Sequence, residues 1–472
     1  MTEHGNILGS LDAEHLQNIG HLRTNSNGTM KLHRRQLNRS SDEENRHIPL
    51  NITVDSPTSP PDAFSIIPQR LISPATLEYV GFSRERSIAL WNSWTAFTQP
   101  IDSDGDGDIM PFIDFITGPF DSRGDDADDG DDEQWRLTMD KFGLSADFQD
   151  RIMHPIFTDI RLTQSCAYWC KDTVEMRYEA LRFIQHSSLD RQRLLEDVRG
   201  HSYSSSSSSQ QRQAVGHTPF IGPLIEPVAH SAREQQQSEH DQPASASPAP
   251  ASIFGRARSI TSIATNGIDG HTILFKGIDQ ARTQTFLDAQ GSIQDIGAIL
   301  SSSPSDFSSD RALFYFTPEL ETAHYYAGYA KMRGGDDTNI LIICIAIPNE
   351  VIQSLTGDAL QYLYWPSEDW KEYVRCNRAR KSMPFALRRF RRATLLIGST
   401  AKKTNLVWRR LTGSSSVTEN YVLMINGEPA VQYVFDGSDQ GQEFLKESIV
   451  PRPYMYQFTK GGWNAWLDKY RG

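Results

Sequence analysis

Lys276 and Gly277 close an apolar, β-type run, Thr272–Phe275, and a glycine at that point lets a ligand come close to the backbone. Tyr315 lies in a second run of the same kind, Ala312–Phe316, and Tyr326 follows eleven residues later on an amphipathic segment. Two phenol rings and a lysine–glycine corner could therefore face one crevice. That is a candidate binding site.

The elements that must place these residues run from His271 to Leu355. Each of the two β-type runs is followed by a polar break and then an amphipathic segment. A third apolar run, Ile340–Ile347, stops at Pro348, which has no N–H to donate to a ladder. Further on, WPSEDWKEYVRCNRAR reads as a helix capped by Ser367, with Glu368 and Asp369 in its first turn. ATLLIGS and YVLMI are strand-like, and PAVQYVF, after the turn Asn426-Gly427, reads as the second arm of a hairpin.

Other clusters carry weaker chemical signals. DSDGDGDI places Asp102, Asp104, Asp106, Gly107 and Ile109 as in the first eight positions of a helix-loop-helix calcium loop. The twelfth position, which should supply a bidentate Glu, is Ile113, and Asp114 is one residue late. The run is therefore expected to be a solvated loop over 102–133. Cys166 and Cys170 share a helical face, but no second Cys or His pair at ligand spacing accompanies them, so a buried structural role is expected and no metal. No P-loop, GxGxxG, HExxH or GxSxG is present, which argues against kinases, dehydrogenases, zincins and α/β-hydrolases.

Charge is local. The net −12 equals the balance of one stretch, Asp102–Glu133, with thirteen acids against Arg123. Lys371–Arg410 is the opposite, thirteen bases against Glu372, with Phe385, Phe390 and Trp408 interleaved. Such a segment could meet phosphate-rich partners, yet no recognition motif goes with it, and nucleic acid ranks last among the readings.

A chain of 472 residues exceeds one core and is expected to divide. Residues 1–65 are polar and are expected to be disordered, because they offer little apolar surface against the entropy of ordering. A small helical domain is expected over 66–198. Ser73-Pro74 starts a helix that Gly81 ends, Ser83 caps another with Ile88, Trp91 and Trp94 or Thr95 on one face, and Cys166, Trp169, Thr173, Met176, Ala180 and Phe183 form a helical stripe. Residues 199–265, rich in Ser, Gln, Pro and Ala, read as a low-complexity linker, 266–450 as an α+β domain, and 451–472 as an aromatic tail that packs back. Four cysteines, no run of apolar residues long enough to span a membrane and no secretory signal lead to the expectation of an intracellular protein, in cytoplasm or nucleus.

Here the stretch resembles a known family. LFKGI is similar to the first-strand motif of ADP-ribosyltransferase-like domains, which carry Arg-Gly or His-Gly at the end of that strand. ALFYFTPELETAHYYA resembles the segment of poly(ADP-ribose) polymerases that carries two nicotinamide-stacking tyrosines, and the Tyr315-to-Tyr326 interval agrees. Thr317 matches the hydroxyl residue after that strand. The region from about 270 to 450 also resembles an ADP-ribosyltransferase-like family common in fungal proteomes, in which a helical segment often precedes the domain.

The resemblance implies a split β-sheet domain that binds NAD and transfers ADP-ribose to a protein acceptor. Lys276, Gly277, Tyr315, Thr317 and Tyr326 would hold the dinucleotide, the two rings stacking on the cationic nicotinamide. The family's late-strand Glu, which binds the ribose hydroxyl and stabilises developing positive charge, corresponds to Gln432. Gln can hydrogen-bond but carries no charge. Glu428, on the preceding turn, is the substitute if the register differs. The alternative is a catalytically inactive scaffold that binds a nucleotide or a partner.

Overall fold

In a computed structural model the chain is described over residues 5–57, 59–60, 62–98, 110–122, 131–204, 259–288, 290–450 and 452–471. It is an α+β protein, as expected. The strands are β1 (Leu22–Thr24), β2 (Thr29–His33), β3 (Phe64–Pro68), β4 (His271–Asp279), β5 (Phe314–Phe316), β6 (Ile340–Pro348), β7 (Leu360–Leu363), β8 (Leu395–Ser399), β9 (Met424–Ile425), β10 (Glu428–Pro429), β11 (Val431–Phe435) and β12 (Tyr454–Gln457).

The β6 strand is the centre. It lies between β12 and β4, antiparallel to both, and its residues are buried from Ile340 to Ile347 because both faces are covered. Side chains alternate across the strand. Ile340, Ile342 and Cys344 face the helices, while Leu341, Ile343, Ile345 and Ile347 face a second sheet through Phe314, Phe316, Leu395, Ile397 and Phe435. That second sheet has the order β5-β11-β8-β7, with only β7 and β8 parallel. Besides this shared core, a backbone bridge links β4 to the residue that follows β5, Phe275 with Thr317.

The local start and stop signals act as read. Ser73 and Ser83 accept the N–H groups of Thr76 and Arg86, and Gly81 ends the first helix at φ 124°. The buried face of the Arg84–Phe97 helix is corrected: Ser87, Leu90 and Trp94 point inward and Ile88 is exposed. The Cys166–Ser204 helix follows the expected stripe over five of its six members, Cys166, Trp169, Thr173, Met176 and Ala180 being buried and Phe183 half-buried.

Three expectations of disorder, loop or linker and one of strand pairing are corrected in part or whole. Residues 5–57 are not disordered: they form a helix, Ser10–Asn18, and two strands of the β1–β2–β3 sheet. Ile7, Leu16, Leu22, Leu32 and Leu37 are covered by Leu181 and Ile184 of the long helix, so the missing apolar surface comes from far along the chain. Within 102–133, Phe112–Ser122 is a helix whose Phe112, Ile116 and Phe120 are buried, and the matched calcium-loop positions lie outside the described residues. The expected linker is invaded at both ends, by the long helix to Ser204 and by a helix Ile260–Asn266; 205–258 lie outside the described residues. PAVQYVF is a hairpin arm only at its start, where Pro429 lies opposite Met424 and Ala430 N–H donates to Leu423 O at 2.9 Å. The Asn426-Gly427 turn, both residues at positive φ, joins β9 to β10, and β11 instead pairs with β5 and β8.

The tail packs back. Its β12 completes the β6 sheet, and Trp463 and Trp466 of the Lys460–Arg471 helix stack on Phe157 at 5.8 and 5.5 Å between ring centres. No helix among the described residues is long and apolar enough to cross a membrane.

Candidate functional site

The site forms where the two sheets part. Phe275 N–H donates to Thr317 O at 2.7 Å and Thr317 N–H returns the bond at 2.9 Å. Hydrogen-bonding direction alternates along an antiparallel strand. The N–H and C=O of Gly277 therefore lie on the same edge as those of Phe275, the edge away from β6. Beyond the bridge the strands splay around a cavity of about 640 Å³, within the usual range for small-molecule sites. Lys276, Gly277, Tyr315, Thr317, Tyr326 and Gln432 all line it. Glu428 does not: it is exposed on the β9–β10 hairpin, so the alternative register is corrected.

Gly277 has a second role that spacing did not reveal. A β carbon there would meet Ala323 O at 2.8 Å and Ala327 N at 2.9 Å. The glycine thus lets the Leu320–Gly334 helix lie directly on β4, and that helix carries Tyr326.

Lys276 is half-buried, and its partners are neutral oxygens, Ser301 Oγ at 3.0 Å and the Tyr315 carbonyl at 3.3 Å. Burial, then the charge of Arg282, lowers its ammonium to about 8. Tyr315 points opposite to the core residues Phe314 and Phe316 and is hydrogen-bonded to Ser305 Oγ. Burial raises its phenol well above the usual range and pushes that of Tyr326 up to about 12, so both rings are neutral at physiological pH. Thr317 is less available than its type suggested. Its hydroxyl donates to Glu319 Oε2 at 2.6 Å and accepts Glu319 N–H at 3.2 Å.

Sequence reading missed Asp306 and Arg378. Both line the cavity and are almost fully buried. Arg378 Nε donates to Asp306 Oδ1 at 2.7 Å, while Asp306 Oδ2 accepts Ala401 N–H at 2.8 Å and Gln432 Nε2 at 2.9 Å. Nothing in local spacing marks this group, since Asp306 and Gln432 are 126 residues apart.

The far wall was missed as well. It comes from the helical region, including Thr163, Gln164, Trp169 and Asp172. Asp172 pairs with Arg282 and Arg333, each at 2.7 Å. Burial alone would raise its carboxyl, but the two guanidinium groups outweigh burial and bring it to about 2. Arg282 also pairs with Asp279, whose carboxyl burial nonetheless holds above the usual range.

The remaining clusters do not converge here. Cys166 and Cys170 are buried thiols 3.9 Å apart, and among the described residues no group of metal-ligating side chains gathers. In the basic segment, Arg389, Arg391 and Arg392 pair with Asp369, Asp310 and Asp358, so part of its charge is matched by acids from outside the segment. No family model, no curated protein and no solved structure matches this chain.

Proposed function

We propose that this is an ADP-ribosyltransferase-like protein whose cavity binds NAD. The observation that carries the reading is that six residues, from four separate stretches of sequence, line one cavity: Lys276 and Gly277, Tyr315 and Thr317, Tyr326, and Gln432. The residues fit such a ligand in three respects. Two neutral phenol rings suit a flat, cationic pyridinium. The Gly277 peptide groups suit a carboxamide, and a lysine whose own partners are neutral suits a pyrophosphate.

NAD would bring the bond to be broken, a ribosyl–nicotinamide bond that cleaves through an oxocarbenium-like state. What this chain contributes is binding and orientation. At the position that the resemblance assigns to the family's late-strand Glu it carries Gln432, and losing one preorganised charged group of that kind costs on the order of a hundredfold to a thousandfold in rate. Gln432 thus favours the second reading, a protein that binds the nucleotide and transfers ADP-ribose to a protein acceptor slowly or not at all.

Titration calorimetry of the intact chain with NAD, beside a turnover assay with labelled NAD, tests both readings. The expected result is saturable binding, weakened about threefold to tenfold in Tyr315→Ala and in Tyr326→Ala. Absence of saturable binding overturns the proposal. Rapid, multiple-turnover transfer of label to a protein would overturn the second reading only.

A further inference from the structure

We infer that Asp306 fixes the side-chain amide of Gln432 so that its Oε1 is the group offered to the ligand, making this point of the cavity an acceptor for a hydroxyl and nothing more. The ligand half of this inference rests on the nucleotide reading above; the orientation half stands without it.

Gln432 is 6 % exposed, and its Nε2 donates to Asp306 Oδ2 at 2.9 Å and to Ser399 O at 3.4 Å. Both neighbours are acceptors. Turning the amide over would set Oε1 against a carboxylate and a carbonyl, three acceptors with no proton between them. Asp306 in turn cannot rotate away, because Arg378 Nε and Nη2 hold Oδ1 and Ala401 N–H holds Oδ2. The two N–H groups of Gln432 are thus committed inside the protein, and the oxygen remains for the cavity that Gln432 lines.

A sugar hydroxyl can donate to that oxygen. The same lock acts against a carboxylate at 432. Gln432→Glu would bring a second carboxylate to the place now 2.9 Å from Asp306 Oδ2, and two such groups cannot both ionise cheaply. The other titratable groups around the pair are Arg378, already engaged by Asp306, the neutral phenols of Tyr315 and Tyr326, and Glu319, which accepts Val431 N–H at 3.4 Å.

The experiment is a series of melting curves of the intact chain from pH 4.5 to 8 for the natural sequence, Gln432→Glu, Gln432→Met and Gln432→Glu/Asp306→Asn, without ligand. A glutamate whose folded pKa is raised is harmless while protonated and destabilises as pH climbs from its unfolded value toward its folded one. Gln432→Glu should therefore lose melting temperature relative to the natural chain on the order of 1–3 °C per pH unit. Gln432→Met should show no such slope, and Asp306→Asn should remove it from the double variant. A pH-independent difference between Gln432→Glu and the natural chain overturns the lock.

The ligand half is read by comparing NAD with its analogues lacking the 2′- or the 3′-hydroxyl of the nicotinamide ribose. The natural chain should prefer NAD at least fivefold over one of them, and Gln432→Met should lose that preference. Equal preference in both proteins overturns it. If NAD does not bind the natural chain at all, the nucleotide reading falls with the ligand half, while the melting curves still decide the orientation.

Discussion

Gly277 and Ala327 are in backbone contact: the β carbon that residue 277 lacks would stand 2.9 Å from the Ala327 nitrogen and 3.0 Å from its methyl. No flexible side-chain end is there to yield. Gly277→Ala must push the Leu320–Gly334 helix off β4, an overpacking that costs about 1–3 kcal/mol. Denaturant unfolding should register the loss, and NAD binding should weaken with it as Tyr326 shifts. A change below about 0.5 kcal/mol would mean that the helix does not lie on this strand.

Lys276 gives a pH signature. Its folded pKa of about 8 lies below the ordinary lysine value of 10.5, so between those two values the unfolded chain holds a proton that the folded chain has released. Stability contributed by this group therefore rises with pH across that window. The difference in unfolding free energy between the natural chain and Lys276→Met should move in the natural chain's favour from pH 8 to 10.5 and stay flat from 6 to 7. Binding of an anionic nucleotide runs the other way, weakening toward about tenfold per pH unit above 8.

Asp172 holds two buried cations at once. Asp172→Asn removes the shared charge between Arg282 and Arg333 and should destabilise by about 3–5 kcal/mol, the usual cost of breaking a buried pair from one side. Acid should act in the same direction. Because its folded pKa is depressed to about 2, the contribution of Asp172 is present above the ordinary carboxylate range and lost as pH falls toward 2. An unfolding free energy unchanged by Asp172→Asn at pH 7 would dissolve this account.

Trp466 lies 6 % exposed in a stack with Phe157, Trp463 and Tyr470. Trp466→Ala should cost about 3–5 kcal/mol. Limited proteolysis should then cut the C-terminal helix first. If the helix stays resistant, it is held by something other than this stack.

What the sequence made legible was local. Ser73, Ser83 and Ser367 cap helices through bonds to a residue three positions on, and the period-two alternation of Phe314, Tyr315 and Phe316 needs no more than the strand itself. The placing of Lys276, Tyr315, Tyr326 and Gln432 on one cavity was legible in their order along the chain. Long-range partners were not. Met30 and Leu32 are two apolar residues in a largely polar stretch until Leu181 and Ile184 join them in one core, and Asp306 is one acid in a serine-rich loop until Arg378 and Gln432 arrive. In PAVQYVF the turn decided the pairing of Pro429 and Ala430, while the neighbours of Val431–Phe435 were decided by sheet packing.

The long helix is 39 residues, roughly 58 Å at 1.5 Å per residue, and it behaves as a single beam. Its first turns roof the cavity with Trp169 and Asp172, and farther along it Leu181 and Ile184 carry the amino-terminal sheet. Cutting the chain before residue 266 would keep both tyrosines and Gln432 but strip Arg282 and Arg333 of their common carboxylate and leave the cavity open to solvent. Trimming the first 57 residues would bare the same beam from its other side. The walls of this cavity therefore come from Phe120 to Gln432, and a unit that keeps them all must include the long helix.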